Sequence, residues 1–310
     1  MSLPLSSFKA LKQQAAQLTQ RPVCAVAHPC DAVSLGSTLD AAKEGVFTPL
    51  LVGPKARIHA IAQEQGFDLG QIEIIDAPHS HASAELAVLQ VLEGKAQLLK
   101  KGSLHTDELM HAVVSVRGKG LRTERRLSHV FIMEVPSYKG LLFITDAAIN
   151  IHPDLQTKAD IVQNAADLHV ALGLGVPRVA VLSAVETVTA KIPSTIEAAA
   201  LCKMADRGQI KSVKIDGPLA MDNAINIEAA QTKGIQSEVA GRAQVLIAPD
   251  LEAGNMLAKN LTFLAGAEAA GIVLGARVPI ILTSRADSAH ARLTSCAVAA
   301  LYASKQTPIL

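Results

Sequence analysis

The chain has 310 residues, a length that suits about two domains, with 49% hydrophobic and 18% charged residues. That apolar content excludes disorder, and with 3% aromatics and no Trp the cores must be built from Ala, Val, Ile and Leu. Lys and Arg number 29 against 28 Asp and Glu, so a net charge of +1 offers no field for nucleic acid or an anionic membrane.

In chain order, MSLPLSSFKALKQQAAQL is interrupted by Lys9 and Lys12 and reads as a short amphipathic helix, not a signal peptide. Pro22 to Ala27 is a first strand, ended by His28-Pro29, and Asp31 stands where a helix cap belongs. That helix continues through Thr38 to Glu44 and stops at Gly45. Phe47 to Val52 is a second strand, and Pro54 opens a helix that runs to Gly66. Ile72 to Asp76 is a third strand, followed by a helix over Ala82 to Leu92. Strands apolar on both faces, alternating with helices, predict a parallel sheet covered by helices.

Val130 to Val135 and Leu141 to Thr145 flank the turn signal Pro136-Ser137-Tyr138-Lys139-Gly140 and predict an antiparallel hairpin in a mixed sheet. The earlier rhythm then restarts. Helices are expected over Asp154 to Leu172, Ser194 to Arg207, about Gly254 to Ala270, and Asp287 to Ser304. Strands are expected at Val179 to Leu182, Val213 to Ile215, Val245 to Ala248 and Val278 to Leu282. The apolar window Leu264 to Thr283 contains Glu268, Arg277 and Pro279 and reads as buried helix, turn and strand, not a membrane span. A second α/β domain begins near Asp146, with a cleft expected between the two and no linker at the join. The cysteines at 24, 30, 202 and 296 form no C-x-x-C and read as buried reduced thiols of a cytoplasmic protein.

Standard motifs are missing. No G-x-x-x-x-G-K-[ST] or G-x-S-x-G occurs, and the G-x-G at Gly173 and Gly175 follows a helix. His79-Ser80-His81 reads as a solvated polar loop, with no nearby carboxylate or cysteine cluster to complete a metal site. Four strand ends, however, carry polar residues where open α/β sheets place ligands. They are Thr145 to Asn150, Asp216 to Asn223, Pro249 to Asn255 and Thr283 to Ser288. One such segment is an ordinary cap or turn; four together are harder to explain that way. In the last, Ser284 and Arg285 beside a helix start supply hydroxyl, guanidinium and free backbone N–H groups, a natural phosphate site.

Together the four segments, in order and spacing, resemble the phosphate acetyl/butyryltransferase family over roughly the whole chain, closer to its butyryltransferase-like branch. The resemblance implies a two-domain, three-layer α/β/α fold like that of isocitrate and isopropylmalate dehydrogenases, with the active-site cleft between domains. Residues 1–145 with 285–310 would form the first domain and 146–284 an inserted second. It also implies a homodimer that moves an acyl group between coenzyme A and phosphate, with CoA as a substrate and no metal or other cofactor. Ser284 and Arg285 match the family's serine-arginine pair, Pro249 to Asn255 its PDLNAGN-like stretch with Glu252 for Asn, and Thr145 to Asn150 its ADCAVN-like stretch with Ala147 for Cys. The aspartate that the typical acetyltransferase carries seven residues after the serine is here Ala291, which leaves Asp287 as the nearest carboxylate for a base.

The catalytic candidates are therefore Ser284, Arg285 and Asp287, the last open to an N-cap reading. Asp146, Asn150, Asp250, Asn255 and Ser128 are substrate-binding candidates. The cationic run Arg117, Lys119, Arg122, Arg125 and Arg126 is a solvated face or a site for CoA phosphates. Two other readings stand beside the transferase. One is a same-fold dehydrogenase with Asp216 and Asp222 as metal ligands. The other is a catalytically impaired acyl-CoA sensor, motivated by Ala147 and Ala291; a further variant takes the acyl group from acyl carrier protein.

Overall fold

The structure, a computed structural model, describes residues 7–118, 120–283 and 287–306. Lys119, Ser284 and Arg285 lie outside the described residues. Cα packing divides the chain into a central unit, containing Arg126–Ala269, and a terminal unit, Phe8–Arg125 with Ala270–Leu310.

The terminal unit follows the predicted α/β alternation. Its strands are β1 (Val23–Ala27), β2 (Thr48–Gly53), β3 (Glu73–Asp76), β4 (Leu98–Lys101), β10 (Glu268–Leu274) and β11 (Ile280–Ile281), in the order β3-β2-β1-β4-β11-β10. All neighbours are parallel except β10 and β11. Its helices are α1 (Phe8–Ala16), α2 (Ala32–Lys43), α3 (Lys55–Gln65), α4 (Ser80–Leu92), α5 (Thr106–Ser115) and α11 (Ala289–Ala303). Cys24, Ala25, Val26 and Ala27 on β1 are all fully buried, which is why this strand reads as a continuous apolar run rather than an alternating one. Asp31 caps α2 as its position predicted, accepting from the Ser34 N–H at 2.7 Å.

The central unit orders its strands β5-β6-β9-β7-β8, from β5 (Ser128–Glu134), β6 (Leu141–Thr145), β7 (Arg178–Leu182), β8 (Lys214–Leu219) and β9 (Val245–Ile247). The hairpin β5–β6 is antiparallel as predicted; the other pairs are parallel. Its turn is fixed by the Tyr138 hydroxyl, which donates to the Ala243 carbonyl at 2.5 Å. Helices α6 (Leu155–Ala171), α7 (Pro193–Asp206), α8 (Met221–Ile225), α9 (Ile227–Thr232) and α10 (Leu251–Leu264) complete the unit. One core cluster joins Met133, Leu142, Ile144, Leu182 and Leu246 beneath α8, α9 and α10. No helix among the described residues is long and apolar enough to cross a membrane.

Two expectations need correction, and Cα packing parts the units at Arg126 and Ala269. The physical reason is strand pairing: β6 pairs onward with β9, so the hairpin stays with the central unit, while β11 pairs with β4. The helix expected to Ala270 ends at Leu264, and Glu268–Leu274 is a strand. The strand at Val213 to Ile215 instead runs over Lys214–Leu219, through Pro218, which a strand at the end of the order tolerates.

Candidate active site

In the central unit the register pairs Val130 with Thr145, whose hydroxyl donates to the His129 carbonyl at 2.8 Å, and Asp146 follows directly. Asp146 is 2% exposed, and a buried carboxylate needs several donors. It has them. Its Oδ1 accepts from the N–H groups of Ala148 (2.9 Å) and Ile149 (3.1 Å), and its Oδ2 from the N–H of Asn150 (3.1 Å) and the Asn150 side-chain amide (2.6 Å). The same Asn150 amide donates to the Leu127 carbonyl at 2.8 Å. Ser128 is fully buried, and its hydroxyl accepts from Asn164 at 2.9 Å.

The start of α10 is tied to this loop. Asp250 caps the helix through the Ala253 N–H at 2.8 Å, and the Leu251 N–H donates to the Ile151 carbonyl at 3.1 Å. Asn255 donates to the Ala147 carbonyl at 3.0 Å. Gly254 lets the helix come this close: a Cβ there would lie 2.5 Å from the Asp146 carbonyl oxygen. The structure thus brings Asp146, Asn150, Asp250 and Asn255 into one braced corner, with Ser128 beside it at the start of β5. Their bonds are internal, so the corner is rigid before any substrate arrives.

His129 was not singled out by the sequence. It is 4% exposed, stands edge-on to Phe131 with ring centroids 4.4 Å apart, and its Nδ1 is buried without a hydrogen-bond partner. Burial pushes its pKa down to about 4, against the opposing pull of the Asp146 charge, so the imidazole is neutral at pH 7.

In the terminal unit, a second set of polar groups gathers where β4 ends. Lys100 is 1% exposed, and its Nζ donates to Thr38 Oγ1 (3.0 Å), Ser37 Oγ (3.1 Å) and the Ser34 carbonyl (3.5 Å) on α2. Arg292, on α11, donates from Nη1 to the Asp287 carbonyl. Both line one open concavity with Thr283. Gly102 follows β4 because a Cβ there would lie 2.4 Å from the Ala27 and His28 carbonyl oxygens. The cap of α11 is Ser288, whose hydroxyl accepts from the Ala291 N–H at 3.0 Å, so Asp287 does not cap it.

Other sequence candidates separate. His79 is the N-cap of α4 and His81 lies within that helix, where a solvated loop was expected. Arg117 pairs with Glu93 at 3.3 Å, and the Arg126 N–H donates to Asp160 at 3.0 Å. Asp222 pairs with Lys233 at 3.2 Å while Asp216 accepts from the Gly217 N–H at 2.8 Å, so the two aspartates serve different partners. Cys24, Cys30 and Cys296 are buried; burial raises all three thiols and that of Cys202, the last to about 12. These four behave as apolar side chains and not as nucleophiles.

A family model described as phosphate acetyl/butaryl transferase matches residues 81–300. The chain belongs to this family. As a member of the phosphate acetyl/butyryltransferases it is similar to a phosphate acetyltransferase of Rhizobium meliloti, 66% identical over 292 residues, 94% of this chain and 92% of that one. It is also similar to a phosphate butyryltransferase of Clostridium acetobutylicum, 42% identical over 279 residues, 90% of this chain and 92% of its relative. Among solved structures, a branched-chain phosphotransacylase from Enterococcus faecalis V583 superposes with a TM-score of 0.76 at 29% identity, covering 91% of this chain and 99% of that chain. The braced corner and the end of β4 each gather buried polar groups beside segments that stood out in the sequence, Thr145 to Asn150 and Thr283 to Ser288.

Proposed function

We propose that this protein is a phosphate acyltransferase that reversibly transfers a short acyl group, acetyl or butyryl, between coenzyme A and inorganic phosphate. The observation that carries the reading is the family match over residues 81–300, which takes in all four polar strand ends. The similarity to an acetyltransferase and a butyryltransferase alike supports a short chain without choosing between them.

In the direction of thioester formation, a base takes the thiol proton of CoA. The thiolate attacks the carbonyl carbon of the acyl phosphate, the carbon–oxygen bond to phosphorus breaks, and phosphate leaves with the electron pair. No covalent enzyme intermediate is needed, in keeping with four cysteines whose pKa values are all raised. Arg285 clamps the phosphate, and Ser284 stabilises the developing oxyanion. Asp287 is the proposed base; a thiol of pKa about 8.5 is only partly ionised at neutral pH, so a neighbouring carboxylate speeds the step. The internally bonded Asp146 loop and Asn255 fix the backbone that faces substrate, which lowers the entropic cost of alignment. The reading includes a cytoplasmic homodimer and the dehydrogenase-like two-domain layout of the family.

The test is thioester formation from CoA with acetyl phosphate or butyryl phosphate, followed by absorbance. Robust turnover supports the transferase, and the ratio of the two rates gives the acyl preference. Absence of turnover with both, in folded protein that binds CoA, overturns it in favour of an acyl-CoA sensor.

A further inference from the structure

Lys100 and Arg292 have no directly paired carboxylate among the described residues, although the Asp31 charge acts on Lys100 from a distance. Lys100 is an almost fully buried ammonium whose hydrogen-bond partners are two hydroxyls and one carbonyl, all neutral. The Nε of Arg292 is buried and has no hydrogen-bond partner, and among the described residues its Nη1 donates to a main-chain carbonyl. Neutral dipoles solvate a charge but do not cancel it, and buried charges are ordinarily paired. The two cations also sense each other. Burial is the largest cause that depresses the Lys100 pKa, and the Arg292 charge acts in the same direction.

Both side chains line one concavity, with Lys101, Ser37 and Thr283 around it and Asp31 contributing its only carboxylate. The Asp31 carboxylate caps α2, and its charge also acts on Lys100 in the direction that favours the ammonium. Three cationic side chains (Lys100, Lys101 and Arg292), the hydroxyls of Ser34, Ser37 and Thr283, and a β-strand end form a donor-rich surface suited to tetrahedral oxyanions. The position is pertinent because Thr283 directly precedes the Ser284-Arg285 pair in the sequence.

We propose that Lys100 and Arg292 form an anion subsite that holds a phosphoryl group during the reaction. The inference rests on the acyltransferase reading for its choice of ligand, and on the side-chain geometry for the site. Its occupant is inorganic phosphate or the phosphoryl end of an acyl phosphate; the phosphates of CoA offer the same chemistry from another source.

The experiment compares the full-length protein with Lys100→Met, Arg292→Gln and the charge-retaining Arg292→Lys, at constant ionic strength. Thermal midpoints are recorded against inorganic phosphate and, separately, against CoA. Phosphate is expected to raise the wild-type midpoint. Lys100→Met and Arg292→Gln should each need at least ~10-fold more phosphate for half that rise, with Arg292→Lys between. In turnover, the KM for phosphate should rise by a similar factor while the KM for acyl-CoA stays within about twofold. If CoA, and not phosphate, loses its stabilising effect in the variants, the subsite belongs to the CoA phosphates. If both variants follow the wild-type curves for both ligands, the subsite does not exist. Phosphate stabilisation that depends on Lys100 and Arg292 in a protein without acyl transfer would retain the site and sink the transferase reading, so the two failures are distinct. Arg292→Gln sits at a half-buried position and keeps the test open should Lys100→Met fail to fold.

Discussion

Asn150 donates its side-chain amide to Asp146 at 2.6 Å while its backbone N–H reaches the other side of the same carboxylate group's Oδ2 at 3.1 Å. One asparagine therefore closes the loop twice, and the amide that does so also reaches the Leu127 carbonyl. Replacing it by alanine leaves the half-buried Leu127 carbonyl and a carboxylate oxygen of the buried Asp146 each one donor short. Asn150→Ala should cost about 1–3 kcal/mol. Urea unfolding should show a lower midpoint with an unchanged slope; an unchanged midpoint would mean that water replaces the amide without loss.

Gly254 is a steric test of the same corner. A methyl group there meets the Asp146 carbonyl oxygen and the Ala147 and Ala248 side chains at 2.5–3.2 Å. Gly254→Ala improves helix propensity in α10 yet should destabilise the protein by about 1–3 kcal/mol, because overpacking outweighs the propensity gain. It should also slow turnover by shifting the loop. A variant more stable than wild type would show that the corner has slack.

His129 makes stability depend on pH in a defined direction. Its folded pKa of about 4 lies below the value near 6.5 of an unfolded histidine, so the unfolded chain binds the extra proton in that window. Its contribution is therefore fully present above pH 6.5 and is lost as pH falls towards about 4. The full effect is at most about 3 kcal/mol. His28 and His169 are also lowered, by burial first, and act in the same sense, so the measurement is a difference. His129→Gln should flatten the stability profile between pH 4 and 6.5 relative to wild type; parallel profiles would remove His129 as a source.

Arg285→Ala should reduce turnover by roughly 10²–10³-fold if the guanidinium meets charge that develops in the transition state. Near wild-type kcat would take Arg285 out of the chemistry.

Asp287→Asn examines the proposed base. Since Ser288 caps α11, the substitution leaves the helix cap intact and its effect reads on chemistry. The acid limb of the pH–rate profile should move up towards the ordinary thiol range, with a lower plateau. An unchanged profile would require another proton acceptor.

The hairpin was legible because five turn-forming residues separate two apolar runs whose pattern has no helical alternative. The cap at Asp31 was legible for a local reason: a short acceptor at a strand end meets the first free N–H groups of a helix. Lys100 was not. In Leu98–Lys101 two consecutive lysines end a short apolar run, which reads as the chain reaching solvent. Only the pairing of β4 with β1 and β11, and the packing of α2, shows that the first lysine is enclosed. His129 escaped for a related reason, since one polar residue in an apolar strand has no periodicity to betray it. Its neighbour Asp146 comes from the other arm of the hairpin, a relation that depends on register and not on spacing.

The terminal unit closes late. Strand β11 is the neighbour of β4, and α11 packs on α1, where Lys12 lies 3.0 Å from His290. On the ribosome, residues 8–125 therefore emerge without their last strand pairing and without the helix that covers α1. All strands of the ordered sequence β5-β6-β9-β7-β8, by contrast, are available once about residue 250 has been made. Synthesis thus favours completion of the middle of the polypeptide before its beginning, and a truncated product ending near 269 would present an open β4 edge to whatever strand is nearby.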